Sequence, residues 1–224
     1  MGQMLLVRHG QASFGSDDYD ALSPLGFEQS ELLGVGLAAR GIVVDSVVFG
    51  SMRRHRETAE TCAEAAGWYV PTTVDPGWDE FDFLSVLSCY PPAEPVSAEP
   101  SKAEFQQWFE AATAAWIAGE EPTVTTGVAE SFADFTGRVT GALERVVAQS
   151  ASGNVAVFSS GGPVAWAVAS LLADGGSAEL WTRLNRMMVN SALTRLIAGS
   201  RGVNLLSYNE QSHLDGVAGA LSYR

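Results

Sequence analysis

The stretch Met4-Leu5-Leu6-Val7-Arg8-His9-Gly10-Gln11 decides how the rest of the chain is read. Four consecutive apolar residues predict a buried strand, and an arginine, a histidine and a glycine stand where the chain leaves it. Open α/β sheets place their chemistry at such strand ends. The fixed charge of Arg8 opposes protonation of His9, and a neutral imidazole is a nucleophile. The guanidinium fork matches a phosphoryl group, and Gly10 lets the backbone come close to one. Taken alone, the same residues read equally well as a chance Arg-His pair on a surface loop.

Outward from this stretch, strands and helices alternate. Gln11 to Ala21 is rich in Ser, Gly and Asp and reads as a loop, and Ser23-Pro24 opens a helix with Leu25, Leu32, Leu33 and Leu37 on one face and Gly41 at its end. Val43 to Phe49 reads as a second strand. The following helix, from about Ser51, carries Arg53, Arg54, His55 and Arg56 at its N-terminal end. Positive charge is unfavourable there unless an anion binds too; the alternative is a solvated basic face. Trp68 to Val74 reads as a third strand ending in the turn Asp75-Pro76-Gly77. In Trp78-Asp79-Glu80-Phe81-Asp82-Phe83, carboxylates lie among aromatics, a setting that raises a carboxyl pKa by desolvation. Asp79 and Asp82 read as loop caps or surface charges.

Pro91, Pro92, Pro95 and Pro100 make the next part irregular, and Ser101 to Ala118 and Glu130 to Val147 read as helices. Asn154 to Ser159 is a strand leading into Ser160-Gly161-Gly162-Pro163 and another helix, a turn whose glycines let a phosphate approach a helix N-terminus. A short helix at 180–188 and strands at 190–198 and 203–208 complete the chain. The alternation predicts a three-layer α/β/α sandwich with a mostly parallel sheet. One domain over 1–224 is expected, with an insertion at about 84–127 that acts either as a lid over the pocket or as an oligomer contact, for instance in a homodimer.

The composition narrows the functional classes. A chain of 224 residues with 46% hydrophobic and 17% charged residues is that of an ordinary globular protein. A net charge of −13 argues against nucleic acid or an anionic membrane as a partner and for a small molecule. Four of the 13 basic residues, Arg8, Arg53, Arg54 and Arg56, fall in the two segments described above, so positive charge is concentrated locally. Two cysteines, Cys62 and Cys89, do not make a disulfide framework. No signal-like start or membrane-length apolar run occurs, which leads to the expectation of a cytoplasmic protein. No His/Asp cluster at metal-ligand spacing occurs, and neither a metal nor a cofactor is expected.

Leu6-Val7-Arg8-His9-Gly10-Gln11 resembles the opening motif of the histidine phosphatase superfamily, which includes the cofactor-dependent phosphoglycerate mutases. The resemblance continues, in order, through Asp20-Ala21-Leu22-Ser23-Pro24-Leu25-Gly26 with Gln29, Arg54-His55-Arg56-Glu57-Thr58-Ala59, Glu80, Gly161-Gly162, Asn190-Ser191 and an Asn209-x-x-x-His213-Leu214 tail. It implies a phosphoglycerate mutase-like fold, His9 as the nucleophile, Arg8 and Arg54 as phosphate-binding arginines, and Glu80 as the proton donor. Ser160 and Gly161 would also contact the phosphate. Gln11, His55 and Glu130 are further pocket candidates, Glu130-Ser131 resembling a Gly-Glu-Ser element with Ala129 in place of its glycine. The implied activity is hydrolysis of small phosphomonoesters through phospho-His9.

Two positions depart from the pattern. Ser160 stands where members normally carry a second histidine, and Gly15 where many carry an asparagine. Removing one donor to a transferring group typically costs on the order of a hundred- to a thousandfold in rate. The alternative to an active phosphatase is therefore a phospholigand-binding or regulatory protein of the same fold; a phosphomutase is a third, less favoured reading.

Overall fold

The computed structural model describes residues 2–13, 20–92, 101–122 and 130–223. These fall into two compact units, one of residues 1–80 with 138–224, the other of residues 81–137.

The larger unit is built on a six-stranded sheet in the order β3-β2-β4-β1-β5-β6. Its strands are β1 (Gln3–Arg8), β2 (Ser46–Phe49), β3 (Thr72–Val74), β4 (Val155–Ser159), β5 (Leu193–Gly199) and β6 (Gly202–Glu210). β3, β2, β4 and β1 pair in parallel, while β5 runs antiparallel to both β1 and β6. β1 is therefore central, with Arg8 opposite Ser159 at the end of β4. Side chains of a strand alternate between faces. Leu5 and Val7 of β1, with Val47, Phe49, Ala156 and Phe158, pack against Leu33 and Leu37 of α1 (Pro24–Ala39) and Ala59 and Cys62 of α2 (Arg53–Ala66). Met4, Leu6, Val155 and Val157 occupy the alternate positions and are equally buried. α6 (Gly161–Leu172), buried continuously from Gly161 to Ala169, contacts β1 and β6 and ties to its neighbours through two indoles. Trp166 donates to Thr140 Oγ1 of α5 (Phe132–Gln149) at 3.0 Å, and Trp181 of α7 (Ala178–Arg186) donates to the Gly162 carbonyl at 2.9 Å.

The smaller unit holds α3 (Phe83–Cys89), α4 (Lys102–Ala118) and the first turn of α5. Its core is aromatic: Phe81 stacks on Trp116 at 4.8 Å and meets Phe135 edge-on at 5.7 Å. Ser101 and Glu104 form a reciprocal capping box at the start of α4. Among the described residues no helix is long and apolar enough to cross a membrane.

Several elements differ from expectation for identifiable reasons. The second strand starts at Ser46, because Val43 is exposed and Asn154 engages both the Val43 carbonyl and the Asp45 carboxylate before strand pairing begins. The third strand is only Thr72–Val74: Pro71 lacks an N–H, and Trp68 is buried against the sheet's helix layer with its indole donating to the Ile42 carbonyl at 3.2 Å. The stretch after Phe83, expected to be irregular, begins with α3, because the Asp82 carboxylate accepts from the Leu84 and Ser85 amides and Pro91 lies beyond the helix end. Asp82 is thus a cap, as read. Gly15 and Ala129 lie outside the described residues.

Candidate active site

The loop after β1 is held by its backbone. His9 N–H donates to the Ser159 carbonyl at 2.8 Å, and its own carbonyl accepts from Ser191 N–H at 3.1 Å and Asn190 Nδ2 at 3.3 Å. Gly10 N–H donates to Thr58 Oγ1 at 3.1 Å. A Cβ on Gly10 would lie 2.3 Å from the Gly26 carbonyl oxygen. The missing side chain of Gly10 thus admits the first turn of α1.

His9 is buried, and its Nδ1 lies 2.6 Å from the Gly10 carbonyl oxygen. A carbonyl only accepts, so Nδ1 carries the proton and Nε2 keeps its lone pair. Burial, then the Arg54 and Arg8 guanidiniums and the His55 ring, hold the His9 pKa well below the ordinary histidine value, against the opposing pull of the Gly10 carbonyl. The imidazole is neutral at neutral pH, with a nucleophilic nitrogen among cations.

The arginines are fixed from behind. Arg8 donates through Nη1 to the carbonyls of Met188 and, at 2.9 Å, Tyr223. Arg54 donates through Nη1 to Asp20 Oδ1 at 2.7 Å, and the other oxygen of that carboxylate accepts from Arg53 N–H at 2.7 Å. Asp20 is thus the anion at the start of α2, where Met52 offers no side-chain cap. Arg53 pairs with Glu57 at 2.6 Å and Arg56 with Glu60 at 4.0 Å, both exposed, consistent with a place on the rim.

At the start of α6, Glu80 Oε2 accepts from Gly162 N–H at 3.0 Å. A Cβ on Gly162 would come within 2.1 Å of Glu80 Oε1, so the second glycine of the turn admits this carboxylate. A Cβ on Gly161 would meet Asn185 Oδ1 at 2.7 Å and lie 3.8 Å from Arg8 Nε. Ser160 is the N-cap residue of α6 but makes no side-chain cap; its Oγ lies 2.7 Å from His55 Nε2.

Arg8, His9, Arg54, His55, Ser160 and Gly161 therefore converge at the ends of β1 and β4, with Glu80 bound at Gly162. Gln11 is drawn toward α1, its Oε1 accepting from the N-cap hydroxyl of Ser23 at 2.9 Å. Glu130 belongs to the smaller unit, where its carbonyl accepts from the Trp116 indole at 2.7 Å. His213, in the tail motif, bonds Ser191 Oγ at 2.8 Å. Sequence reasoning missed Asp20 and Asn185 as site neighbours. Asp20 lay within a quoted motif, but only the fold sets it against Arg54; Asn185 carried no signal.

The histidine phosphatase superfamily (branch 1) profile matches residues 4–211. The solved structure of Bacillus stearothermophilus YhfR aligns with a TM-score of 0.71 at 18% identity, covering 96% of this chain and 100% of that one. A phosphoserine phosphatase mutant from Entamoeba histolytica, bound to phosphoserine, aligns with a TM-score of 0.66 at 18% identity over 96% and 100% of the two chains. The mitochondrial serine/threonine-protein phosphatase PGAM5 of Xenopus laevis is 41% identical over 59 residues, which span 25% of this chain and 22% of that protein. With the profile running from β1 to the end of β6 and the same fold in both solved structures, the chain belongs to the histidine phosphatase superfamily, branch 1.

Proposed function

We propose that the protein is a phosphomonoesterase that works through phospho-His9. The observation that carries this reading is the state of His9: a neutral imidazole with Nδ1–H committed to the Gly10 carbonyl and Nε2 unprotonated, in the field of two arginines. Nε2 attacks phosphorus, Arg8 and Arg54 hold the equatorial oxygens, and the bond to the leaving oxygen breaks as Glu80 donates its proton. Water then attacks phosphorus, returns a proton to the Glu80 carboxylate and releases phosphate with His9 neutral again. The arginines supply the positive charge, so the scheme uses no metal. Substrates are small phosphomonoesters.

A second reading, a phospholigand-binding protein without turnover, is supported by the motif resemblance, which puts Ser160 where family members carry a second histidine. Hydrolysis of nitrophenyl phosphate, with His9→Ala as control and acid-labile labelling of His9 as readout, separates the two. Turnover and label that both vanish in His9→Ala are expected; phosphate binding without either would favour the binding protein.

A further inference from the structure

His55 is a buried imidazole to which the scheme above gives no task. It is 0% exposed, its ring centroid lies 5.8 Å from that of His9, and its Nε2 is 2.7 Å from Ser160 Oγ. Its Nδ1 faces Asp79 Oδ1 at 3.8 Å, too long for a hydrogen bond, and has no hydrogen-bond partner among the described residues. A position needed only for packing would be filled by an apolar side chain, which has no nitrogen to leave unsatisfied. Three segments instead converge to admit this ring. Gly50, at the end of β2, has no side chain; a Cβ there would lie 2.3 Å from His55 Nδ1 and 2.6 Å from Asp79 Oδ1. Asp79 is pinned by the Ser51 amide and hydroxyl. α2 then aims the ring at the N-terminus of α6.

A serine hydroxyl has one proton and rotates to offer it to any acceptor. It donates steadily to a phosphoryl oxygen only if its own oxygen is held by another donor. We propose that His55 is a positioning residue that acts through Ser160, its Nε2 holding the hydroxyl so that the serine proton points at a phosphoryl oxygen on His9. Ser160 and His55 together then stand where a single histidine is expected. The charged groups around the ring agree with this. Burial, then Arg54 on the same helix, opposes protonation of His55; a phosphoryl dianion on His9 offsets the Arg54 charge, and the ring then carries protons on both nitrogens, Nδ1–H toward the Asp79 carboxylate and Nε2–H donated to Ser160 Oγ.

The inference rests on the phosphohistidine reading, and its test is chosen to keep the two apart. The variants are His55→Leu and His55→Gln, which both fill the ring's space but differ in keeping a donor, together with Ser160→Ala and the double variant His55→Leu/Ser160→Ala. Each is checked for an intact thermal transition. Expected is a fall in kcat on the order of a hundredfold for His55→Leu and for Ser160→Ala, with KM little changed and vanadate affinity reduced in parallel. The double variant should be no worse than the weaker single one, and His55→Gln should recover most of the loss. Losses that multiply in the double variant, His55→Leu turning over like wild type, or Gln no better than Leu would each overturn the proposal while leaving the phosphatase reading intact. A wild-type protein that neither turns over aryl phosphate nor binds vanadate would overturn the reading beneath it.

Discussion

At the scale of the residue, the chemistry is set by which partners each polar side chain acquires. Because burial and three positive or protonatable neighbours keep His9 neutral, kcat/KM should not decline as pH falls from 7 through about 6.5, once the substrate's own titration near 6 is allowed for. An acid limb centred at the ordinary histidine value would show that His9 is not the neutral nucleophile described. Arg54 lies with His9 whereas Arg53 is tied to Glu57 on the rim, so Arg54→Ala should nearly abolish vanadate binding measured by calorimetry and Arg53→Ala should change it little. Equal losses would exchange their roles. Ser160 is packed against His55, so Ser160→His alone should lower turnover by crowding that ring, while Ser160→His with His55→Ala should recover it. If Ser160→His alone raises rates on every substrate tested, the serine is an impairment and not half of a pair.

At the scale of the element, glycines decide how closely the loop after β1 and the start of α1 approach. The first turn of α1 and the loop after β1 meet backbone to backbone: a Cβ on Gly26 would lie 2.2 Å from the Gln11 carbonyl oxygen. Gly26→Ala should therefore destabilise the fold by about 1–3 kcal/mol in chemical denaturation, the usual cost of overpacking. Ser23, the N-cap of the same helix, accepts from Gly26 N–H at 3.1 Å and holds Gln11. Its loss in Ser23→Ala should cost about 1 kcal/mol by the same measurement. An unchanged midpoint in Gly26→Ala would mean that the loop yields without cost. The helical pattern of α1 did not convey that its most buried stripe includes Gln29 and Ser30: Ser30 donates one turn back to the Gly26 carbonyl at 2.7 Å, while Gln29 is satisfied by partners far along the chain. Gln29 accepts from Gln11 N–H at 2.8 Å and donates to the Ala220 carbonyl at 2.6 Å, bonds that no local pattern reveals.

At the scale of the whole molecule, all three histidines are held neutral by burial, and this links stability to pH. Burial, with Arg54 for His55 and Arg54 and Arg8 for His9, puts two of them well below the ordinary value, and burial brings His213 down to about 4. A group whose folded pKa lies below its unfolded pKa of about 6.5 binds more protons unfolded than folded between those two values, so stability rises with pH across that window. Denaturation midpoints should accordingly fall from pH 7 to pH 5, and His213→Asn should flatten the slope; a midpoint that rises toward pH 5 would contradict the neutral assignments. The sequence by itself determined the order of the strands and of the helices other than α3, a buried strand ending at Arg8-His9 and the family, because these depend on local apolar patterning and on short motifs whose residues are neighbours in the chain. Only the tertiary structure decided that Gly10 admits α1, that Asp20 faces Arg54, that Glu80 binds the amide of Gly162 and that His55 meets Ser160. Those pairs lie far apart in sequence, and their approach depends on sheet order and on the side-chain-free surface of glycines, which periodicity does not encode.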